Sequence, residues 1–414
     1  MLVFERERFP RYHIGESLLS ATLPILAHVG VLPDVERHGF IKKPGGTFLW
    51  GSSALPWSFW FREDPGGTSH AYHVVRAEFD AILLRHSQRL GAEVRERTVV
   101  EKVEGDGPFR VLARTGGGME VAEARHLIDA SGQKAFLGRR QGLREYNPFF
   151  KNLAIWSYFT GAGRMEGELR DNILSAAHAE GWCWYIPLHD GTTSVGAVVD
   201  AARWKGGARP ELLERTYRAL LDRCPSVASM LRGARRAAPV RAIRDYSYSS
   251  RRFFHGGALL AGDAACFIDP VFSTGVHLAC LAGLLAADAL EEVLGGRRTA
   301  AAAFADYDLS YRRAFERYRR FVTFFYNHHA DPDSYFWEAR KLIEDGPSLE
   351  LREGFVRLVG GIGDIPETAQ EVCAVDERWA RSLAAEQARA APGMHLMRVA
   401  TTLAEMRRLE AKNG

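Results

Sequence analysis

Apolar and polar positions along this chain follow two periods, and the places where the period changes predict its elements. Leu2-Val3-Phe4 is a short apolar run ending on Glu5, as the tail of a parallel strand would. Ser17–Val31 carries helical spacing at Leu18, Leu19, Ile25, Leu26 and Val29, closed by Gly30 and Pro33. Thr47–Trp50 and Trp57–Phe61 read as strands, with Gly45-Gly46 and Gly51 as breaks. Tyr72–Val75 is a further strand, and Glu78–Leu90 is an amphipathic helix stopped by Gly91. Strand-like runs follow at Ala92–Val103, Phe109–Ala113 and His126–Ile128, the last giving way to Asp129-Ala130-Ser131-Gly132. Leu153–Phe159, Trp182–Ile186 and Ser194–Val199 predict a second, antiparallel sheet, with Asp190-Gly191 as a hairpin signal between the last two. Leu213–Asp222 is helical, Ala258–Ala261 is a buried strand running into Gly262-Asp263, and Val276–Leu294 is a long helix. From Thr299 onward every periodic segment is helical, beginning with Ala300–Phe325, which is rich in Phe, Tyr and Arg.

This order predicts an α/β protein in four stretches. Residues 1–150 form a broken βα body with inserted strands, and 151–250 an antiparallel sheet with helices. Residues 251–298 return to the first body, and 299–414 make a helical cap. There is no internal repeat and no low-complexity linker. With 414 residues, 46% of them hydrophobic and 25% charged, the chain is ample for a core and a buried ligand. The net charge of +3 is spread rather than clustered, which argues against nucleic acid as a partner. Five widely spaced cysteines without a C-x-x-C pair fit neither a disulfide framework nor a zinc site. His328-His329 have no ligand spacing either, so no metal is expected. No signal-peptide pattern is visible, and no run reaches the ~18 apolar residues of a membrane span. A cytoplasmic protein is the expectation.

The most informative stretch is Trp182-Cys183-Trp184-Tyr185-Ile186-Pro187. Alternation along a strand puts Trp182, Trp184 and Ile186 on one face and Cys183 and Tyr185 on the other. Two indoles fixed by Pro187 make a bulky apolar wall, ordinarily a strand of a sheet core, which the motifs around it turn toward a partition beside a site. Downstream, Gly262-Asp263-Ala264-Ala265 and Asp269-Pro270 precede Ser273-Thr274-Gly275 at the start of the long helix. A helix start presents free N–H groups and a positive dipole end, suited to an anion or an electron-rich ring edge. Each piece also has an ordinary reading, G-D-A as a turn and S-T-G as a helix cap. Upstream, Phe40-Ile41-Lys42-Lys43-Pro44-Gly45 has the form F-x-x-K-x-G, although a Lys-Lys pair is ordinarily solvated.

In this order, the motifs resemble the flavin-dependent halogenases, the F-x-x-K-x-G form being that of members acting on phenols and pyrroles. The segment Phe9-Pro10-Arg11-Tyr12-His13-Ile14-Gly15-Glu16-Ser17 is similar to the loop that follows their ribose-binding strand. The resemblance implies an FAD-binding, flavin monooxygenase-like fold of the glutathione reductase type, with an antiparallel substrate sheet and a helical C-terminal cap. It implies FAD, used as FADH2, with O2 and chloride as co-substrates. It assigns cofactor contacts to Glu5, Arg76, Gly262, Asp263, Asp269 and Pro270, and the halide to Ser273, Thr274 and Gly275. Lys43 would hold and aim hypochlorous acid, either as an ammonium that polarises it or as an amine that is itself chlorinated. Trp182, Trp184, Ile186 and Pro187 would keep substrate away from the flavin. No nicotinamide motif is visible, so a separate flavin reductase is the implied partner. The glutamate that tryptophan-specific members add opposite the lysine has no equivalent here. That points to an electron-rich aromatic of secondary metabolism or antibiotic biosynthesis, free or tethered to an acyl or peptidyl carrier protein.

One departure stands out. The acidic residue that resembles Glu5 normally follows a G-x-G-x-x-G turn by about 20 residues. Four residues precede Glu5, none of them glycine, and Gly116-Gly117-Gly118 sits in a hairpin context instead. The expectation is that the sequence begins inside the first βα unit and that an upstream segment supplies the turn. The alternatives are a related flavin-dependent hydroxylase or reductase, and a truncated, non-catalytic homologue.

Overall fold

A computed structural model describes residues 1–51, 55–203, 209–244, 246–327 and 351–361. The architecture is mixed α/β. Strand Leu2–Phe4 pairs in parallel with Glu93–Arg95, the helix Arg76–Arg89 lying between them in sequence. Strand Leu127–Asp129 pairs in parallel with Ala258–Leu260, so the chain returns beside its earlier strand after the intervening sheet. Val99–Glu104, Phe109–Thr115 and Gly118–Ala124 form a small antiparallel sheet, with the glycine cluster at 116–118 in its hairpin.

The largest sheet has eight strands. Its main path runs Arg235–Arg236, Asn152–Thr160, Thr192–Asp200, Gly181–Pro187, Ile173–His178, Gly45–Leu49 and Trp57–Trp60, and Arg241–Arg244 also pairs with Asn152–Thr160. All contacts are antiparallel except that between Ile173–His178 and Gly45–Leu49. The Asp190-Gly191 turn joins Gly181–Pro187 to Thr192–Asp200; Gly191 takes φ +81 and the Asp190 carboxylate accepts from Thr192 N at 2.9 Å.

One face of this sheet packs on the main core, with the long helices Thr274–Leu294 and Ala300–Asn327. The other packs on Pro210–Asp222 and Pro225–Met230. Leu351–Gly360 adds a last described helix, and Gly360 O accepts from Ala21 N at 3.0 Å. The helix expected over 17–31 is confined to Thr22–His28, because residues 17–18 instead bond to the neighbouring strand Ala71–His73 and its flank. Gly45-Gly46, expected as a break, lies inside a strand. A Cβ on Gly45 would fall 1.9 Å from Phe59 O, so only glycine permits that pairing. The run 92–103 is two strands, separated where Arg97 turns to φ +54. Of the described helices none is long and apolar enough to cross a membrane. His328, His329 and Cys373 lie outside the described residues.

Candidate active site

The hexapeptide occupies Gly181–Pro187, near the middle of the large sheet. Its two faces separate as the alternation predicts. Trp182, Trp184 and Ile186 belong to the main core, whereas Cys183 and Tyr185 belong to the second. Trp182 and Trp184 are 1% and 5% exposed, with ring centroids 6.0 Å apart. Each indole N–H has an acceptor, Tyr326 OH at 2.6 Å for Trp182 and Ser194 Oγ at 3.1 Å for Trp184. Trp184 lies over Gly196 on the next strand, where a Cβ would stand 2.2 Å from its ring.

The wall is wired to the turn that holds the second motif. Tyr326 donates its hydroxyl hydrogen bond to Asp269 Oδ1 at 2.8 Å, so one residue links Trp182 to the Asp269-Pro270 turn. Asp269 is 1% exposed and also accepts from Asn152 Nδ2 at 3.1 Å and Val271 N at 3.1 Å. Burial pushes its carboxyl up to about 6 despite these donors. Gly262 turns at φ +57 against Ala279 of the long helix, where a Cβ would have only 3.1 Å. Beside it Asp263, half-buried, is likewise raised to about 6 by burial, with the charge of Arg76 pulling the other way. Ser273 stands at φ +60 and its hydroxyl does not cap the helix that follows. The first-turn amides at Thr274 and Gly275 therefore keep their donors for another acceptor, in a turn where Thr274 is buried.

Arg76 opens its helix but is no surface cap. Its guanidinium grips Asp80 with two parallel hydrogen bonds, 2.9 and 3.0 Å, and donates to Ile14 O at 2.8 Å. Arg11 donates to the same carboxylate at 2.7 Å. Burial alone would raise Asp80, and the two arginines outweigh it and hold the carboxyl below its ordinary range. Arg76 thus fixes the loop of residues 9–17 against the helix and sets a positive charge near Asp263 and Glu16. Glu5 is half-buried after its strand and accepts from Glu7 N at 2.8 Å.

Lys43 ends the strand Ile41–Lys43 and is 2% exposed. Its Nζ donates to Leu18 O at 2.9 Å and lies 5.4 Å from the Phe61 ring centroid. No described carboxylate pairs with it, and burial pulls its pKa down to about 7. Among the described residues, Lys43 is joined to the wall by no direct hydrogen bond. A continuous file of rings joins them through Trp50, Phe325, Phe48, Phe59 and Phe61, with successive centroids 4.7 to 6.1 Å apart. Phe272, directly before Ser273, meets Phe48 and Phe325 at 5.8 and 4.8 Å. Lysine, wall and helix-start turn therefore converge on one aromatic cluster.

The sequence reading missed several residues of this assembly. Tyr326 and Phe325 come from the aromatic-rich helix, whose composition was visible but whose partners lie far away in sequence. Asn152 carried no signal. Glu16 is buried and accepts from Tyr158 OH, which is 3.0 Å from Tyr12 OH, itself an acceptor for Trp156 Nε1 at 2.7 Å. Trp156 lies 6.4 Å from Trp184, so a polar chain backs the wall as well.

The residues present fit a flavin: uncapped amides at a buried helix start, a glycine turn packed on that helix, and two carboxylates, half-buried Asp263 and buried Asp269, beside it. The comparisons with known proteins agree. The tryptophan halogenase family model matches residues 62–401. A tryptophan 2-halogenase from Chondromyces crocatus is 36% identical over 377 residues, 87% of this chain and 71% of that protein. The sulochrin halogenase of Aspergillus terreus is 33% identical, over 78% of this chain and 63% of its own length. Among solved structures, the myxobacterial chondrochloren halogenase matches with a TM-score of 0.73 at 40% identity, covering 90% of this chain and 89% of that one. The flavin-dependent brominase Bmp2 matches at 0.75 and 25% identity, covering 92% and 93%. The chain belongs to the flavin-dependent halogenases.

Proposed function

We propose that this protein chlorinates an electron-rich aromatic, a phenol or pyrrole that is free or tethered to a carrier protein, and that Lys43 directs the halogen. The observation that carries this reading is the burial of Lys43 without a described counter-charge. An unpaired buried cation is costly, and such groups concentrate where chemistry requires them. FADH2, O2 and chloride, when bound, supply hypochlorous acid. A separate reductase provides the reduced flavin.

The chain's own residues then have distinct tasks. Gly262, Asp263, Asp269 and Pro270 hold the cofactor side, and Arg76 positions the preceding loop; Glu5 is placed for the ribose. The amides of Ser273, Thr274 and Gly275 hold the halide. Trp182, Trp184, Ile186 and Pro187 exclude water and bar the substrate from the cofactor side. Lys43, near neutrality in its ionisation, either donates a hydrogen bond to the oxidant or carries its halogen as an amine. The two roles predict opposite arms of a pH–rate profile with an inflection near 7, the first falling and the second rising with pH.

The test supplies FAD, a flavin reductase with NADH, and either chloride or bromide to a panel of phenols and pyrroles, free and carrier-bound. Products are read by halogen isotope pattern. Lys43→Ala is expected to abolish halogenated product while NADH consumption continues. Unchanged product from that variant would point to a hydroxylase or reductase, and absence of any flavin affinity would point to a non-catalytic protein.

A further inference from the structure

Three residues outside the aromatic cluster meet at a point that no sequence spacing would have shown. His38 is the last residue of the helix Leu32–His38, Glu78 lies in the first turn of Arg76–Arg89, and His189 sits in the hairpin after the wall strand. His38 Nε2 is 2.7 Å and His189 Nε2 3.1 Å from the same oxygen, Oε2 of Glu78. All three ligand atoms fall within 4.8 Å of one another. The side chains are partly open, between 20% and 38% exposed, so an ion has an entry path.

We propose that His38, Glu78 and His189 bind one divalent transition metal, Zn2+ in the first instance. Two imidazoles and a carboxylate are a donor set for zinc, with a water in the fourth position. Ligand atoms at about 2.0–2.2 Å from a tetrahedral ion stand roughly 3.3 Å apart. The two imidazole–carboxylate separations, 2.7 and 3.1 Å, lie just under that value, so small side-chain rotations open room for the ion. Phe40 fixes both imidazoles, its ring centroid 4.5 Å from His38 and 5.0 Å from His189. Phe40 is itself held by Phe79, 6.3 Å away. His189 Nδ1 is buried without a described partner. It lacks the outer hydrogen bond that strengthens tight zinc sites, which places this site in the moderate-affinity class.

The ion would clamp three separate segments. The segment of His38 runs through Phe40 into the strand that carries Lys43, and that of His189 is the hairpin that ends the wall. Binding requires both imidazoles in their neutral form, with a ring nitrogen free to coordinate.

The experiment titrates untagged protein with Zn2+ by calorimetry, and with Co2+ by its visible spectrum. One ion per chain is expected, with d–d bands of nitrogen and oxygen ligation and a thermal midpoint that rises with Zn2+. His38→Gln and His189→Gln, checked for folding by circular dichroism, are each expected to weaken binding at least about tenfold, the loss that even an outer partner causes. His255→Gln, at the surface beside Asp106, is expected to leave binding unchanged. Affinity unaffected in the first two variants, or no binding by wild type, overturns the proposal. A thiolate charge-transfer band with Co2+ overturns it too, and does not depend on any variant folding.

Discussion

Replacing Lys43 by methionine should stabilise the fold in acid and lose that advantage in alkali. A free lysine keeps its proton up to 10.5, whereas Lys43 releases it at about 7 because burial disfavours the charge. At 1.36 kcal/mol per pH unit that difference is worth about 5 kcal/mol. Below pH 7 both folded and unfolded chains are protonated, and the folded state carries the whole penalty. Between 7 and 10.5 the unfolded chain binds more protons, so wild-type stability rises with pH. Methionine has similar length and no charge, and forfeits only the hydrogen bond to Leu18 O, about 1–3 kcal/mol. Lys43→Met is therefore expected to gain roughly 2–4 kcal/mol at pH 6. The gain should shrink steadily and become a small loss by pH 10. Urea unfolding of both proteins across that range measures it. A difference that does not change with pH would refute the reasoning, since it would mean that Lys43 ionises as an ordinary lysine. The same variant is expected to be inactive in halogenation, so stability and activity should move in opposite directions.

Tyr326→Phe removes the bridge between Trp182 and Asp269, leaving an indole N–H without its acceptor; a loss of about 2–3 kcal/mol in urea unfolding is expected. Gly196→Ala drives a methyl into the Trp184 ring, and a loss of roughly 1–3 kcal/mol with altered near-ultraviolet circular dichroism should follow. His277 is fully buried, and burial lowers its pKa to about 4. The unfolded chain takes up this proton first, so stability should fall between pH 6.5 and 4 by up to about 3 kcal/mol. A His277→Asn variant that kept the same acid sensitivity in pH-dependent unfolding would assign that loss to other groups.

The period-two alternation of Trp182–Ile186 was legible because one strand divides two cores, and a one-residue shift would bury the wrong set. The return of Ala258–Leu260 beside Leu127–Asp129 was legible for a similar reason, since a short apolar run before Gly-Asp reads as a buried parallel strand. Gly45-Gly46 misled because a glycine pair marks either a turn or a close backbone approach, and only the partner strand decides. Ser17–Leu18 misled because apolar spacing does not reveal that a neighbouring strand competes for the backbone. Within the site, residue types were readable and partnerships were not. Trp182 and Tyr326 are 144 positions apart, and Tyr326 and Asp269 are 57 apart. No local pattern encodes such a link, nor the meeting of His38, Glu78 and His189.

The strand Gly181–Pro187 is a party wall between two compartments that share almost no side chains. Changes at Cys183 or Tyr185 fall first on the helices behind it, through Tyr217, Leu220, Leu221 and Val227. The indole side has its own hydrogen bonds, to Tyr326 and Ser194. Substitutions on the Cys183–Tyr185 face therefore act first on the second core, one layer away from the indoles. Packing of the helical layer and the shape of the indole wall thus draw on different residues of one seven-residue strand.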